Sequence, residues 1–467
     1  TGSGASNNFI GNLAGQNNTT GGCNNFLGYL AGQDNTTGML NNFIGRCAGY
    51  KNTTGSYNNF FGERAGAGFG AAQTGSHNNF LGSCAGCGNQ SGSSNNFIGK
   101  KVGFCNTTGT QNNFMGHLAG QCNTEGSCNN FFGTSAGFCN TSGTNNNFMG
   151  HLAGQNNTEG TQNNFIGCGT GLTNTTGSCN NMIGVGAGRC ATVTGLHNTF
   201  LGTYAGKCAT GSGTQNNFIG NSAGFSNTSG SMNNFIGCGA GRSNTTGGCN
   251  NFMGHLAGRN NTSGSYNNFL GFFAGYENTT GCFNNFIGCY SGRCNTTGGS
   301  NNFIGRCAGL ANATGSCNNM IGVGAGSCAT VTGLHNTFLG TYAGKCASGS
   351  GASNNFIGNL AGQNNTTGNC NNFIGISAGQ NNTTGNYNNF FGRTVGTANT
   401  SGSSNIYIGR NIATNAVSAA ANANIVIGQN SASCLSGNCN IILGCCTAGV
   451  GVTVTGNHNF IVGYCAG

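Results

Sequence analysis

A five-residue segment, Asn-Asn-Phe-Ile-Gly, recurs about every 17 residues and sets the pattern of apolar and polar positions along the chain. The full unit reads approximately Asn-Asn-Phe-Ile-Gly-x-x-Ala-Gly-x-x-Asn-Thr-Thr-Gly-x-x, and counting to the last copy gives 27 units. The aromatic residue of the segment is called the anchor, and in the first units it lies at Phe9, Phe26, Phe43, Phe60, Phe80, Phe97 and Phe114. The alternating segment predicts a short strand, whereas Ala-Gly and Asn-Thr-Thr-Gly are typical of turns.

Repetition at this period predicts an all-β chain folded as a parallel β-solenoid, a β-roll of about 27 coils. A unit of 17 residues is too short for a pair of helices, so we expect two or three short strands in each coil. The insertion before Phe80 and the longer spacings at Val193 and Val331 fall at one phase of the unit. This indicates one corner of the coil that tolerates extra residues.

Two apolar rows run along the predicted solenoid, the anchor Phe and the Ile, Leu, Met or Phe that follows it. Successive residues of a strand face opposite sides, so the two rows cannot both fill the interior of one narrow coil. We expect one row to be buried from outside, because an exposed apolar stripe of this length would aggregate. The pattern therefore predicts chains that pack laterally or polymerise.

Two positions do not vary among the 27 units, an Asn two residues before the anchor and a Gly two residues after it. We expect the Asn row to form a hydrogen-bonded ladder between coils, as at Asn7, Asn24, Asn41 and Asn58. We expect the Gly row to occupy a corner that needs positive φ or close backbone approach, as at Gly11, Gly28 and Gly45.

The units change character near the C-terminal end of the sequence. Residues 1–403 hold the regular 17-residue repeats, whereas in residues 404–467 an apolar residue replaces the second Asn. We interpret residues 404–467 as divergent coils of the same solenoid that cap it or form a junction. No comparable cap is visible at Thr1, which predicts an open edge through which stacked ends could polymerise.

Composition favours a fibrous repeat and argues against an enzyme. The 467 residues include 92 Gly, 14 Lys plus Arg and only 5 Asp plus Glu, so no acid–base pair or catalytic triad can be nominated, and no cofactor is expected. The net charge of +9 is spread along the sequence without a basic run beyond Lys100 and Lys101, which argues against nucleic acid as a partner. No apolar stretch is long enough for a membrane span.

Cysteine is the most reactive residue type, with 27 copies placed at a few phases of the unit. Residues of the same phase on adjacent coils would lie about 4.8 Å apart, close enough for a disulfide. The candidates are Cys105, Cys122, Cys139, Cys190 with Cys208, and Cys328 with Cys346. Buried, reduced thiols are the alternative. The lone Cys-x-x-Cys of Cys84 and Cys87 has no second pair that would support a zinc or redox site.

The Asn-Thr-Thr-Gly segments contain the glycosylation sequon, as at Asn18, Asn35, Asn52 and Asn106. In a secreted eukaryotic protein these residues would carry rows of glycans, and otherwise they are turn residues. We favour the turn interpretation. Disulfides, if formed, place the protein in an oxidising compartment, outside the cell or on its surface.

The repeats resemble those of trimeric autotransporter adhesin heads and of phage-type tail-fibre proteins, which share an Asn-x-apolar-x-Ile-Gly, Ala-Gly and Asn-Thr-Thr-Gly logic. The resemblance extends over nearly all 27 units. It implies a left-handed parallel β-roll, three chains in each rod, surface exposure and a role in attachment or structure. The 17-residue unit, the abundant Phe and the many Cys depart from those families and favour a covalently reinforced filament.

We therefore expect a structural subunit of an extracellular filament or fibre, with copies of itself as partners in a trimer or a head-to-tail filament. The alternative is an adhesin or tail-fibre shaft, a binding module that contacts a surface receptor or glycan. Ice binding by rows of Thr is a third hypothesis, which interruptions such as Glu125 disfavour.

Overall fold

A computed structural model describes residues 4–190, 194–209, 211–328, 332–347, 349–415, 419–448 and 453–466. The spacings at Val193 and Val331 and the end at Thr1 lie outside these residues. The described part is an all-β parallel β-solenoid with a repeat of about 17 residues and without helices. It divides into two compact units, unit 1 at Thr1–Asn233 and unit 2 at Asn234–Gly467.

Unit 1 contributes one strand from each coil to a parallel sheet. The strands are β1 Asn8–Ile10, β2 Asn25–Leu27, β3 Asn42–Ile44, β4 Asn59–Phe61, β5 Asn79–Leu81, β6 Asn96–Ile98, β7 Asn113–Met115, β8 Asn130–Phe132, β9 Asn147–Met149, β10 Asn164–Ile166, β11 Asn181–Ile183, β12 Thr199–Leu201 and β13 Asn217–Ile219. Successive strands pair in register, so Phe9 lies beside Phe26 and Ile10 beside Leu27. The sequence repeat thereby becomes columns of like side chains.

Unit 2 repeats this arrangement and adds a second, small sheet. Its strands are β14 Asn234–Ile236, β15 Asn251–Met253, β16 Asn268–Leu270, β17 Asn285–Ile287, β18 Asn302–Ile304, β19 Asn319–Ile321, β20 Thr337–Leu339, β21 Asn355–Ile357, β22 Asn372–Ile374, β23 Asn389–Phe391, β24 Ile406–Arg410, β25 Ile425–Gln429, β26 Cys434–Leu435, β27 Ile441–Leu443, β28 Thr453–Val454 and β29 Phe460–Val462. Strands β26 and β28 pair with each other, and the other fourteen form a parallel sheet whose successive strands pair in register.

Residues 404–467 keep the register of unit 2 while their strands change. Tyr407 of β24 lies beside Phe390 of β23, and β24 and β25 have five residues where the earlier strands have three. The change of sequence at 403/404 is thus visible in strand length, whereas the boundary between the two compact units falls between residues 233 and 234 of the sequence.

The interior of most coils holds the anchor ring and an Ala five residues later. Phe26 and Ala31 are fully buried, and the rings of Phe26 and Phe43 stack with centroids 4.8 Å apart and planes within 4°. The stack continues through ten rings from Phe9 to Phe165 in unit 1. Aromatic contacts of this kind add about 0.5–1.5 kcal/mol each beyond area burial. The anchor row is therefore the core.

The expectation of two or three strands per coil is wrong for most of the chain, because nearly every described coil has one strand; the coils of β25 and β27 have a second, β26 and β28. Left-handed backbone interrupts the extended chain several times in a coil, as at Gly28 (φ 139°), Leu30 (φ 60°), Gly32 (φ 57°) and Leu40 (φ 57°). A Cβ on Gly28 would lie 2.6 Å from the carbonyl oxygen of Gly45 in the next coil. A Cβ on Gly32 would lie 2.5 Å from the Phe26 ring. The predicted corner role of the first Gly row is confirmed at Gly11, Gly28 and Gly45.

The predicted Asn ladder exists, but it binds the backbone of the next coil. The Oδ1 atom of Asn7 accepts the backbone N–H of Asn24 at 2.8 Å, and Asn24 Oδ1 accepts that of Asn41 at 2.9 Å. The Nδ2 of Asn24 donates to the carbonyl oxygen of Gly38, at 2.9 Å. Each buried amide therefore closes its own coil and holds the next one, which explains why no other residue occurs at this position.

Candidate functional site

The outward face of the main sheet presents an apolar column, formed by the residue after each anchor. In unit 1 it comprises Ile10, Leu27, Ile44, Phe61, Leu81, Ile98, Met115, Phe132, Met149, Ile166, Ile183, Leu201 and Ile219. Its side chains are half-buried or exposed; Ile10 is 54% exposed and Leu81 51%. The Phe row fills the interior, so the apolar column is the second of the two predicted rows, the one expected to be buried by a neighbouring chain.

An Asn column runs beside the apolar column on the same face. The residue before each anchor points outward, and Asn42 Nδ2 donates to Asn59 Oδ1 at 3.0 Å. The same bond joins Asn147 to Asn164 at 2.9 Å. These amide-to-amide ladders were not predicted, although the doubled Asn in the repeat could have indicated them. They lock side chains along the face and reduce the entropy that a contact with a partner would cost.

The sequon asparagines form a third ladder inside the coil, and the glycan interpretation is contradicted there. Asn35 Nδ2 donates to Asn18 Oδ1 at 2.7 Å and to the Gly38 carbonyl oxygen at 3.0 Å. The amides of Asn52 and Asn106 make the corresponding pairs of bonds. Asn35, Asn52 and Asn106 are fully buried, and both N–H groups of each are used. A glycan at that nitrogen would break the ladder, so these residues have the turn role.

The Thr residues of Asn-Thr-Thr-Gly bind the next coil, which disfavours ice binding. The backbone N–H groups of Thr36, Thr37 and Gly38 all donate to the carbonyl oxygen of Thr53, at 2.9, 3.2 and 3.3 Å. The hydroxyl of Thr36 donates to the same oxygen at 3.0 Å. The first Thr hydroxyl of the turn is therefore used within the stack rather than offered to water.

All 27 cysteines lie within the described residues, and all are free thiols there. Three cysteines of one phase form a column along adjacent coils: Cys105, Cys122 and Cys139. The backbone N–H of Cys105 donates to the carbonyl oxygen of Gln121, the residue before Cys122, and that of Cys122 to the carbonyl oxygen of Phe138, the residue before Cys139. Burial raises the pKa of the Cys122 thiol, and its neighbours Cys105 and Cys139 raise it further. Disulfide formation among them remains a prediction.

The two predicted cysteine pairs are also brought together. Burial and then the neighbouring Cys190 raise the pKa of Cys208. Burial and then Cys328 raise the pKa of Cys346 in the same way. The backbone N–H of Cys190 donates to the carbonyl oxygen of Lys207, the residue before Cys208, at 2.7 Å, and that of Cys328 to the carbonyl oxygen of Lys345, the residue before Cys346, at 2.8 Å. Each pair therefore lies on adjacent coils, and disulfide formation stays a prediction.

Cys84 and Cys87 do not form an accessible redox pair. Cys87 is fully buried and its Sγ donates to the carbonyl oxygen of Arg64 at 2.6 Å. Burial, and after it the neighbouring Cys84, raises the pKa of the Cys87 thiol, which disfavours the thiolate that redox and metal chemistry need. Among the described residues, no group of three or more His, Cys, Asp or Glu side chains could hold a metal ion.

A cationic face was missed by the sequence analysis. All 14 Lys and Arg residues lie three, four, seven or eight residues after an anchor, in the turn around Ala-Gly. The coils stack in register, so the cations of each unit share one face. The signal was present in the sequence as a phase of the repeat, whereas a search for runs of basic residues could not find it.

The cationic face differs between the units. In unit 1, Lys51 Nζ lies 2.9 Å from Asp34 Oδ2, and hydrogen bonding to Asp34 raises the pKa of Lys51. Arg46 lies 3.4 Å from Glu63. Unit 2 has seven cations and a single carboxylate, Glu277. Its cations are Arg242, Arg259, Arg293, Arg306, Lys345, Arg393 and Arg410.

The inserted residues before Phe80 form a small cavity on this face of unit 1. It measures about 240 Å³ and is lined by Tyr50, Lys51, Arg64 and Phe69, among others. The guanidinium of Arg64 lies 6.0 Å from the Phe69 ring centroid. The tolerant corner predicted from spacing is thus the place where the coil widens.

Comparison of the chain with protein families and with characterised proteins found no match. In the described residues there is no helix long and apolar enough to cross a membrane.

Proposed function

We propose that this protein is a structural subunit of an extracellular filament or fibre, in which copies of the chain pack laterally through the apolar and Asn columns. The observation that carries the proposal is the apolar column of unit 1, which presents a partly uncovered Ile, Leu, Met or Phe in every coil. Covering the remaining surface of one such side chain contributes about 1 kcal/mol.

The repeated face makes a stable contact feasible. Thirteen side chains on each of two copies contribute on the order of 20 kcal/mol in total. The loss of translational and rotational freedom on association costs about 4–15 kcal/mol. Ladders of hydrogen-bonded Asn hold the face in one conformation beforehand, so little further ordering is required.

A second copy of the chain is the partner that best fits this face. Successive rings in the core are about 4.8 Å apart, and the outward columns share that spacing because the strands are in register. Only a partner whose coils have the same spacing can keep one side chain opposite every coil along the whole face. Such repeated, dry contacts between identical sheet faces are strong in other β assemblies.

The remaining features of the chain support a structural role outside the cell. The buried polar groups serve the coil itself, in Asn ladders and turns. The paired thiols of Cys190 with Cys208 and of Cys328 with Cys346 would add covalent links between coils in an oxidising compartment. Attachment by a shaft of three chains, as the resembling adhesins imply, is the competing assembly.

The test is electron microscopy and sedimentation velocity of the full chain and two variants. Met115→Lys with Met149→Lys places two charges in the apolar column, and we expect filaments to be lost. Gln121→Lys with Gln155→Lys adds the same charges to the same two coils on the cationic face, and we expect filaments to persist.

Three results would separate the proposals. Monodisperse single chains of the unaltered protein at tens of micromolar would contradict the filament. Equal loss of assembly in both variants would show that charge, and not the apolar column, controls it. Discrete particles of three chains would favour the adhesin or tail-fibre shaft.

A further inference from the structure

One part of the cationic face in unit 2 combines arginines with closely packed aromatic rings. It spans the coils anchored at Phe235, Phe252, Phe269, Phe286 and Phe303. The arginine–aromatic patch is built around Arg259, Phe272, Phe273, Tyr276, Tyr290 and Arg293.

Tyr276 lies between two arginines of the adjacent coils. Arg259 precedes it in the column and donates from Nη1 to the Tyr276 hydroxyl at 2.5 Å. The guanidinium carbon of Arg259 lies 5.6 Å from the ring centroid, and that of Arg293, in the following coil, lies 6.0 Å from it. Stacked guanidinium groups are held in place while their outer N–H groups stay free to bind anions in pairs.

Beside the arginines lies an apolar floor. Phe272 packs edge-to-face on Phe273 at 4.4 Å and on Tyr290 at 5.4 Å, and His255 stacks on it at 5.3 Å. Phe272 is 42% exposed. The Arg293 guanidinium also lies 5.7 Å from the Tyr290 ring, so the cations and the apolar floor form one continuous surface.

The charge of the patch is little compensated. The one carboxylate of the patch is Glu277, which lies close to the Cys294 thiol. Burial is the larger cause that raises the pKa of Cys294, and the negative charge of Glu277 raises that pKa further. An anionic ligand would therefore compete with a single carboxylate for the guanidinium groups of the patch.

We infer that this patch binds a linear acidic polysaccharide, with its carboxylate or sulfate groups on Arg259 and Arg293 and a sugar C–H face on Phe272. The ligand would run along the coil axis, since the arginines are arranged in that direction. This binding activity goes beyond the structural role proposed above and does not depend on filament formation.

Nucleic acid fits the patch less well. Single-strand-binding proteins stack successive bases on a series of open aromatic faces. Here arginines lie against the Tyr276 ring from the coils before and after it, which leaves Phe272 as the exposed ring rather than a series. Duplex DNA carries one charge per ~1.7 Å, whereas the patch offers at most about one cation per coil. A sparse, linear series of anions with apolar ring faces between them matches the geometry better.

The experiment measures binding of a fluorescent octasaccharide of galacturonic acid, which carries one carboxylate per sugar, to the full chain by fluorescence anisotropy. Arg259→Gln with Arg293→Gln should weaken binding at least about tenfold and reduce the slope against salt. The matched control, Arg393→Gln with Arg410→Gln, removes the same charge from exposed positions of unit 2 and should change affinity less than about twofold. Exchange protection of the coils anchored at Phe252, Phe269 and Phe286 establishes that the variants are folded.

A third variant tests the guanidinium geometry. Arg259→Lys with Arg293→Lys keeps both charges, loses the paired donors, and should bind several-fold more weakly than the unaltered chain. Equal weakening by the patch pair and the control pair would overturn the inference. So would absence of octasaccharide binding, or tighter binding of a dodecamer of thymidine.

Discussion

Replacing one ring in the Phe stack tests whether the core is as local as the coil geometry implies. Phe114 is fully buried, with the rings of Phe97 and Phe131 at 4.9 and 4.6 Å on its two sides. Phe114→Ala removes both contacts and leaves a cavity between neighbours that the coil rise holds apart. Substitutions of this kind cost about 3–5 kcal/mol, and we expect the upper part of that range because two stacking contacts are lost.

Two matched substitutions define the scale. Met182 and Met320 occupy the anchor position in other coils and are fully buried, so Phe114→Met should cost less than about 1.5 kcal/mol. Met115 is the next residue of the same strand, points outward and is 41% exposed. Met115→Ala should therefore cost about 1 kcal/mol or less.

Hydrogen exchange followed by mass spectrometry measures the effect coil by coil. Each repeat contacts its neighbours only, so destabilisation should be concentrated around the altered coil. For Phe114→Ala we expect exchange to quicken by roughly 100-fold or more in the coils anchored at Phe97, Phe114 and Phe131. Exchange around Phe43 should stay unchanged.

Two outcomes would refute the reasoning about the core. If Phe114→Ala and Met115→Ala quickened exchange equally, the inside and outside rows would not differ in the way their burial indicates. If the loss of protection spread evenly over unit 1, the solenoid would unfold as one cooperative body, and nearest-neighbour stacking would not describe it.

Two further predictions address the polar core and the thiols. Asn123→Asp replaces an amide that donates to Asn106 Oδ1 and to the Gly126 carbonyl oxygen. Burial should raise the pKa of the new carboxyl group above its value in the unfolded chain. The variant should therefore be most stable at low pH and lose stability as the pH rises through the pKa of the folded state. Thermal unfolding at pH 4 and pH 7 measures this, and the exposed Asn130→Asp, which should lack the effect, is the control. Iodoacetamide at pH 8 reacts with thiolates, so it should alkylate the exposed Cys128 before Cys122, whose pKa is raised by burial. Cys87 is buried and should react last of the three. Fast alkylation of Cys87 would contradict its burial.

The repeat made several features predictable from sequence. Three positions of the repeat recur in nearly every coil, and Phe26, Asn24 and Gly28 are examples of them. A residue type that the geometry of one coil requires is therefore repeated many times within one sequence. The parallel solenoid and its period followed from this recurrence, as did the ladder role of Asn24 and the corner role of Gly28. Lateral assembly, three chains per rod and the disulfides remain predictions.

Other features escaped because they depend on backbone conformation or on neighbouring coils. Leu30 and Leu40 adopt left-handed φ without the Gly or Asn that usually signals it, so the number of strands per coil was overestimated. Asn35 matches a glycosylation sequon, and only its burial between coils shows that the amide is already used.

The sequence by itself determined the period, the two apolar rows and the invariant Asn and Gly, because each is a local requirement repeated in every coil. The tertiary structure alone decided which side chains meet between coils: the thiols of Cys190 and Cys208, or Tyr276 between Arg259 and Arg293. Residues 17 apart become neighbours only when the coils stack in register. Such contacts depend on how neighbouring coils are aligned, so they cannot be read from the sequence of a single coil.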